Sequence, residues 1–186
     1  MTVCGPARRL LPVAALLLSL AAAADQNDQR LAPLFETLKS TGDAAAARAA
    51  EIEIWRIWID SGNSDIDALM VEGVTAMSNA RLEDAITIFG EITERAPGFA
   101  EGWNKRATAY FLNEDYVASV RDIQTTLALE PRHFGAISGM GLIFLSRGDE
   151  TGALAAFEAV VAIHPNAPGA RQRIEELRKR LLERGA

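Results

Sequence analysis

Three prolines, Pro97, Pro131 and Pro165, stand 34 residues apart, and the residues in front of each fall into one register. Twelve positions upstream lie Ala85, Ser119 and Ala153; eight upstream, Phe89, Ile123 and Phe157; twenty-four upstream, Gly73, Ala107 and Gly141. A fixed period of this length marks a repeat architecture. No unit can bury its apolar face alone, so neighbours stack and share one continuous core.

The residue types in that register describe a helix pair. Gly73, Ala107 and Gly141 let the first helix approach the second closely, and Ala85, Ser119 and Ala153 do the same from the other side. Phe89, Ile123 and Phe157 then fill the space between one pair and the next. Asn113-Glu114-Asp115 and Arg147-Gly148-Asp149 interrupt the apolar periodicity in mid-repeat. Each proline falls where a helix has ended, since it cannot continue one and restrains the residue before it. Ser64, with Asp67 three residues on, reads as a capping box opening the first clear repeat. The expected fold class is all-α, built from tandem helix-turn-helix repeats.

In the second repeat the segment 100–110 carries Trp103, Ala107 and Tyr110, followed by Asp115-Tyr116 at the turn and Pro131 at the close. This pattern resembles the tetratricopeptide repeat, with Trp103, Ala107 and Tyr110 at that family's tryptophan, small and tyrosine positions. The resemblance implies a right-handed α-solenoid with repeats at 66–99, 100–133 and 134–167. Leu69 and Ala76, Ser119 and Ile123, and Ile137 and Phe144 depart from the family pattern with side chains of compatible size. Residues 25–65 form a helical pair read as a degenerate repeat. Aligning Gly42-Asp43 with Gly148-Asp149 puts Leu31, Leu34, Leu38, Ala47 and Ile54 on family positions, but Glu51 takes the slot of Phe89 and Phe157. Trp55 and Trp58, three apart on the longer second helix, are expected to be core packed against the first repeat rather than a partner anchor. Residues 168–186 are expected to form a capping helix, with Ile174, Leu177 and Leu181 as its apolar stripe.

The N-terminus has a different character. Arg8 and Arg9 precede an apolar run from Leu10 to Leu20, then alanines lead to Asp25, with no acidic residue before it. This is the order of a secretory signal, 1–24, with cleavage expected after Ala24. The run is short against the ~20 residues that span a bilayer, which makes a retained anchor the alternative. Cys4 is the only cysteine and lies upstream of the run, so it is not placed as a lipid acceptor, and the mature chain has no internal disulfide. Without Arg8 and Arg9 the chain has 17 basic and 25 acidic residues, a net charge of −8. Such a chain repels phosphate backbones, which argues against nucleic acid as a partner. Membrane contact is expected only if the N-terminal segment is retained.

No catalytic constellation emerges. His133 and His164 fall in inter-repeat turns without an HExxH pattern or a cysteine partner, and are expected to be exposed or capping turn residues rather than metal ligands. Gly139-Met140-Gly141 lacks the strand-then-helix setting of a nucleotide loop, and Ser138 is not in a nucleophile elbow. The expectation is a non-enzymatic scaffold with no cofactor and no metal, binding a protein or peptide. The resemblance implies a concave groove lined by Asp67, Met70, Val74 and Met77 in the first repeat. In the second it implies Glu101, Asn104, Thr108 and Phe111, and in the third Gly135, Ser138, Leu142 and Leu145. That lining lacks the basic residues by which some members of the family hold a peptide carboxylate; Lys105 and Arg106 lie beside the face. Methionines and leucines there suit an amphipathic helix or an apolar extended segment. The setting implied by the leader is the periplasm, with a membrane-tethered assembly factor as the alternative.

Overall fold

The computed structural model describes residues 26–185. The leader-like segment 1–24, its cleavage site and Cys4 lie outside the described residues. Nine helices and no strand occur among the described residues: α1 (Leu31–Ser40), α2 (Ala44–Trp58), α3 (Ser64–Ser78), α4 (Leu82–Arg95), α5 (Ala100–Leu112), α6 (Tyr116–Leu129), α7 (Phe134–Ser146), α8 (Glu150–Ile163) and α9 (Pro168–Gly185). None of the described helices is long and apolar enough to cross a membrane.

From α3 onward each helix packs on the next, so α3/α4, α5/α6 and α7/α8 form three stacked pairs closed by α9. Where the register demands closeness, the structure shows why. A Cβ on Gly73 would fall 2.5 Å from Phe89 Cε1, and one on Gly141 would fall 2.9 Å from Phe157 Cζ. The middle pair solves the same space differently: Ala107 brings a methyl group and faces Ile123 in place of a phenyl ring, both buried. The turns inside the pairs also repeat. Ala80, Glu114 and Gly148 hold φ of 57°, 61° and 75°, but only the last is glycine. A side chain in that left-handed region costs ~1–2 kcal/mol, so the packed helices on either side impose the turn. Asp115 and Asp149 then cap α6 and α8 through Ala118 N–H (3.0 Å) and Gly152 N–H (2.8 Å).

At the start of α3 the cap is one residue earlier than the sequence pattern suggests. Asn63 Oδ1 accepts from the N–H groups of Asp65 and Ile66, so Ser64 is already helical. Asp67 has no capping partner to answer. Its Oδ1 reaches back to the Ser61 N–H (3.0 Å) and hydroxyl (2.6 Å), closing the loop at 59–63.

The N-terminal pair is helical but does not extend the stack. α1 and α2 pack on each other, yet α2 makes at most marginal contact with α3. Instead the hairpin lies along the row of proline turns. Gln26 bonds through its carboxamide to Gly98 O and the Ala100 N–H at the first turn. At the second, Arg132 lies 4.2 Å from the Phe35 ring centroid, and Trp58 stacks on His133 at 4.2 Å with an interplanar angle of 9°. At the third, His164 Nε2 lies 3.4 Å from Glu51. Trp55 and Trp58 are therefore packed at the start of the third repeat and not against the first, which corrects the sequence expectation. Two features account for the change. Glu51 stands where stacking would need a large apolar side chain, and Gly62, at φ 69°, lets the chain turn away between α2 and α3. Leu31, Leu38, Ile54, Ile57 and Trp58 are all at most 2% exposed, and burial of side chains of this size contributes about 1.5–3 kcal/mol each.

At the other end, Ile174 and Leu177 of α9 are buried on α8, while Arg180 and Arg184 reach Glu150 at 3.4 and 2.9 Å. The charged face of α9 is thereby tied to the N-terminus of α8, where a carboxylate is favoured by the helix dipole.

Candidate partner-binding groove

The first helix of each pair, α3, α5 or α7, presents one stripe to a common face. Between α5 and α7 this face opens into a cleft of about 150 Å³. Its floor is Ala107, Ser119 and Ile123; Phe111 and Leu142 form walls, and Thr108, Ser138 and Gly139 line it as well. Ser119 is buried with its hydroxyl bonded to Ala107 O at 2.8 Å, so the floor offers no free polar group there. Thr108 is exposed and Phe111, Ser138 and Leu142 are half-buried. The cleft is thus an apolar socket with small or hydroxylated side chains around it, suited to one apolar side chain and a neighbouring backbone.

The structure brings Asn104, Thr108, Phe111, Gly135, Ser138 and Leu142 together at this cleft. Leu145 lies half-buried one turn beyond Leu142 and packs against the core. The first-repeat residues are placed differently. Met70 is buried in the core with Ile66 and Phe89, Val74 and Met77 pack half-buried against that core, and Asp67 is engaged with Ser61.

Glu101 is the residue whose surroundings the sequence hid most completely. It is fully buried beneath the hairpin. The Ala136 N–H donates to His133 Nδ1 at 3.1 Å, so that nitrogen carries no proton, and Nε2–H donates to Glu101 Oε2 at 2.9 Å. Asn104 donates to the same oxygen at 2.9 Å, and Lys105 Nζ lies 2.9 Å from Oε1. Burial alone would raise the Glu101 carboxyl, but the His133 hydrogen bond and the Lys105 charge outweigh it and hold the group below its ordinary value of 4.5. Trp58 and Trp55 close the site from above, and a Cβ on Gly135 would fall 2.7 Å from Trp55 Cη2, so glycine is required for that approach. His133 caps α7, as expected of a turn histidine, but it is buried rather than exposed; His164 is buried as well. A histidine and a carboxylate at 0% exposure cannot meet a solvent-borne substrate, so this network is structural. Among the described residues no group of three His, Cys, Asp or Glu side chains is placed to hold a metal.

Arg106, adjacent to the face, turns away from it. Its guanidinium forks onto Asp122 at 2.7 and 2.9 Å, donates to Thr93 at 2.8 Å, and lies over the rings of Trp103 and Tyr110. The sequence separations, 13 and 16 residues, carry no local signal that could have announced these pairs.

Helix pairs in a 34-residue register, stacked in series with their first helices on one face, define an α-helical repeat solenoid. No protein-family model matches the chain. A TPR repeat-containing protein of Rhizobium etli is 37% identical over 153 residues, covering 82% of this chain and 75% of that one. The chain belongs to the tetratricopeptide-repeat family. Among solved structures, the Sgt2 TPR domain from Aspergillus fumigatus matches 66% of this chain and 83% of its own, at 22% identity and a TM-score of 0.61. The first TPR of Spaghetti (RPAP3), solved bound to an HSP90 peptide, covers 63% of this chain and 93% of its own, at 20% identity and a TM-score of 0.59. At these identities the likeness is one of fold. Domains of this family are protein-interaction scaffolds, some of which bind peptides.

Proposed function

We propose that this protein is a non-catalytic scaffold of the cell envelope that takes a protein or peptide partner on the face of α3, α5 and α7. The observation that carries the reading is the cleft between α5 and α7, an apolar socket with an exposed threonine and a half-buried serine in its lining. Among the described residues no free cation lines the socket: Lys105 is drawn to Glu101 and Arg106 to Asp122. A partner is therefore held by an apolar side chain and backbone hydrogen bonds rather than through a terminal carboxylate. The HSP90 peptide on the Spaghetti domain supports a peptide as the class of ligand. The leader-like order of residues 1–24 supports the envelope setting.

The test is site-specific photo-cross-linking in cells of the source organism. A photoreactive phenylalanine analogue at Thr108 is expected to capture one envelope protein, and Leu142→Arg is expected to abolish the adduct. The same analogue at Thr87, on the outer helix of the first pair, is the control. Equal labelling from both positions, or an adduct that survives Leu142→Arg in a folded protein, would remove the groove from the account. Capture of a cytoplasmic protein alone would remove the envelope.

A further inference from the structure

On the side of α7 turned away from the cleft, α6 and α7 part to leave a second cavity of about 610 Å³. Met140, Ile143 and Phe144 line it from α7, with Arg147 just past its C-terminus, and helical periodicity sets the three α7 residues opposite Ser138, Leu142 and Leu145. Val117 and Val120 face them from α6, and Val117 is 58% exposed. The repeat register supplies a comparison within the same molecule. Thirty-four residues before Met140 stands Arg106, and thirty-four before Ala156 stands Asp122. The Arg106–Asp122 bridge, with Thr93 and the two aromatic rings, fills the seam around α5. In the third repeat both halves of the bridge are replaced by apolar residues, and α6 packs less closely on α7 than α4 does on α5.

The rim of this open seam is cationic. Arg121 from α6 and Arg147 at the end of α7 are exposed and have no carboxylate partner among the described residues, in a chain with 25 acidic side chains. The one carboxylate among the lining residues, Asp149, caps α8 through the Gly152 N–H at 2.8 Å and makes no ion pair with either arginine, which leaves the rim with a net positive charge. The α6 side runs from Tyr116 to Gln124, a length of ~12 Å at 1.5 Å per residue, which matches about two turns of a docked helix. We propose that the α6–α7 seam is a second docking surface, for an amphipathic protein segment that sets apolar side chains on Val117, Val120, Met140 and Phe144 and carboxylates on Arg121 and Arg147. Unpaired arginines beside an apolar floor favour such a ligand twice, through desolvated apolar area and through bidentate guanidinium–carboxylate pairs.

The probe is a fluorescent designed peptide with leucines in a helical i, i+3, i+4, i+7 stripe flanked by glutamates, titrated against the full chain beside a copy with lysines for glutamates. The glutamate peptide is expected to bind, with an affinity that falls as salt is added, and the lysine peptide is not. Arg121→Glu with Arg147→Glu is expected to weaken the glutamate peptide tenfold or more. Met140→Arg with Ala156→Asp, which rebuilds the Arg106–Asp122 bridge one repeat later, is expected to exclude it with helicity unchanged. Thr108→Arg, in the cleft on the opposite side, is expected to leave it unaffected, which separates this surface from the groove. Equal binding of the two peptides, no binding of either, or binding indifferent to both double variants would each overturn the proposal. So would two other readouts lost in the Arg121/Arg147 variant: binding to phosphatidylglycerol vesicles, which would make the seam a lipid surface, or a concentration-dependent dimer, which would make it a contact between two copies.

Discussion

Glu101 shows how far a single side chain can depart from its sequence reading. The family resemblance puts it on the groove-facing stripe, and as such it reads as an acid offered to a partner. The structure gives it to His133, 32 residues on, and to Lys105, under a roof of two tryptophans. The carboxylate form is held below 4.5 in the folded chain, so unfolding in acid takes up a proton. The resulting stability is present above the ordinary glutamate range and is lost as pH falls through and beneath it. Glu101→Gln is expected to lower the thermal midpoint at neutral pH and to flatten the acid limb below about 4.5. Thermal unfolding of both proteins across this range is the check, and parallel curves would mean that Glu101 contributes no linkage. Asn104 was legible as a groove residue, but the donation of its amide to a buried carboxylate was not, because that acceptor's burial depends on chain from another part of the molecule.

The helix pairs were the most legible level, since a pair within 34 residues is specified by neighbours in sequence. Gly73 with Phe89, Ala107 with Ile123 and Gly141 with Phe157 meet one packing problem with two answers, the first and third pairs sharing one of them. A methyl group on the first helix and a phenyl ring on the second compete for one volume. Gly141→Ala is expected to cost ~1–3 kcal/mol through overpacking, and Phe157→Ile a similar ~1–3 kcal/mol through lost contact and cavity. The double variant recreates the middle pair and is expected to cost less than the sum, a coupling of about 0.5–3 kcal/mol for residues in contact. Denaturant unfolding of the four proteins measures it, and strict additivity would show that the two positions do not share that volume. The boundaries were less legible than the pairs. Ser64 and Asn63 are both good caps, and only the backbone, extended at Asn63, decides between them.

At the scale of the whole molecule, an apolar stripe says that a helix is buried and not what buries it. The stripes of α1 and α2 were visible, as was the misfit of Glu51, but the destination of Trp55 and Trp58 depended on Gly135 and His133, more than seventy residues later. The cavity behind α7 was hidden for a related reason: Met140 and Ala156 are ordinary core residues until they are compared with Arg106 and Asp122. Trp58→Ala is expected to destabilise the protein by ~3–5 kcal/mol, as for a buried aromatic truncation. Hydrogen exchange locates the effect. Protection is expected to fall at residues 133–136, at the junction of the second and third repeats, and to hold in α3; loss confined to α3 would return the hairpin to the first repeat.

A solenoid whose units touch only their neighbours can be completed in the order in which it is synthesised. The hairpin removes that freedom. It is made before the repeats, and although Trp58 can rest on Phe35 of α1, the faces of Trp55 and Trp58 that meet residues 133–135 have no cover until those residues exist, and Glu51 waits for His164. Part of two tryptophans therefore stays uncovered while α3 to α6 are made, in a topology whose contacts join early chain to late chain and which folds more slowly for it. For a chain of this design, the interval between the making of α2 and the arrival of α7 is when it is most open to misassembly with other copies of itself.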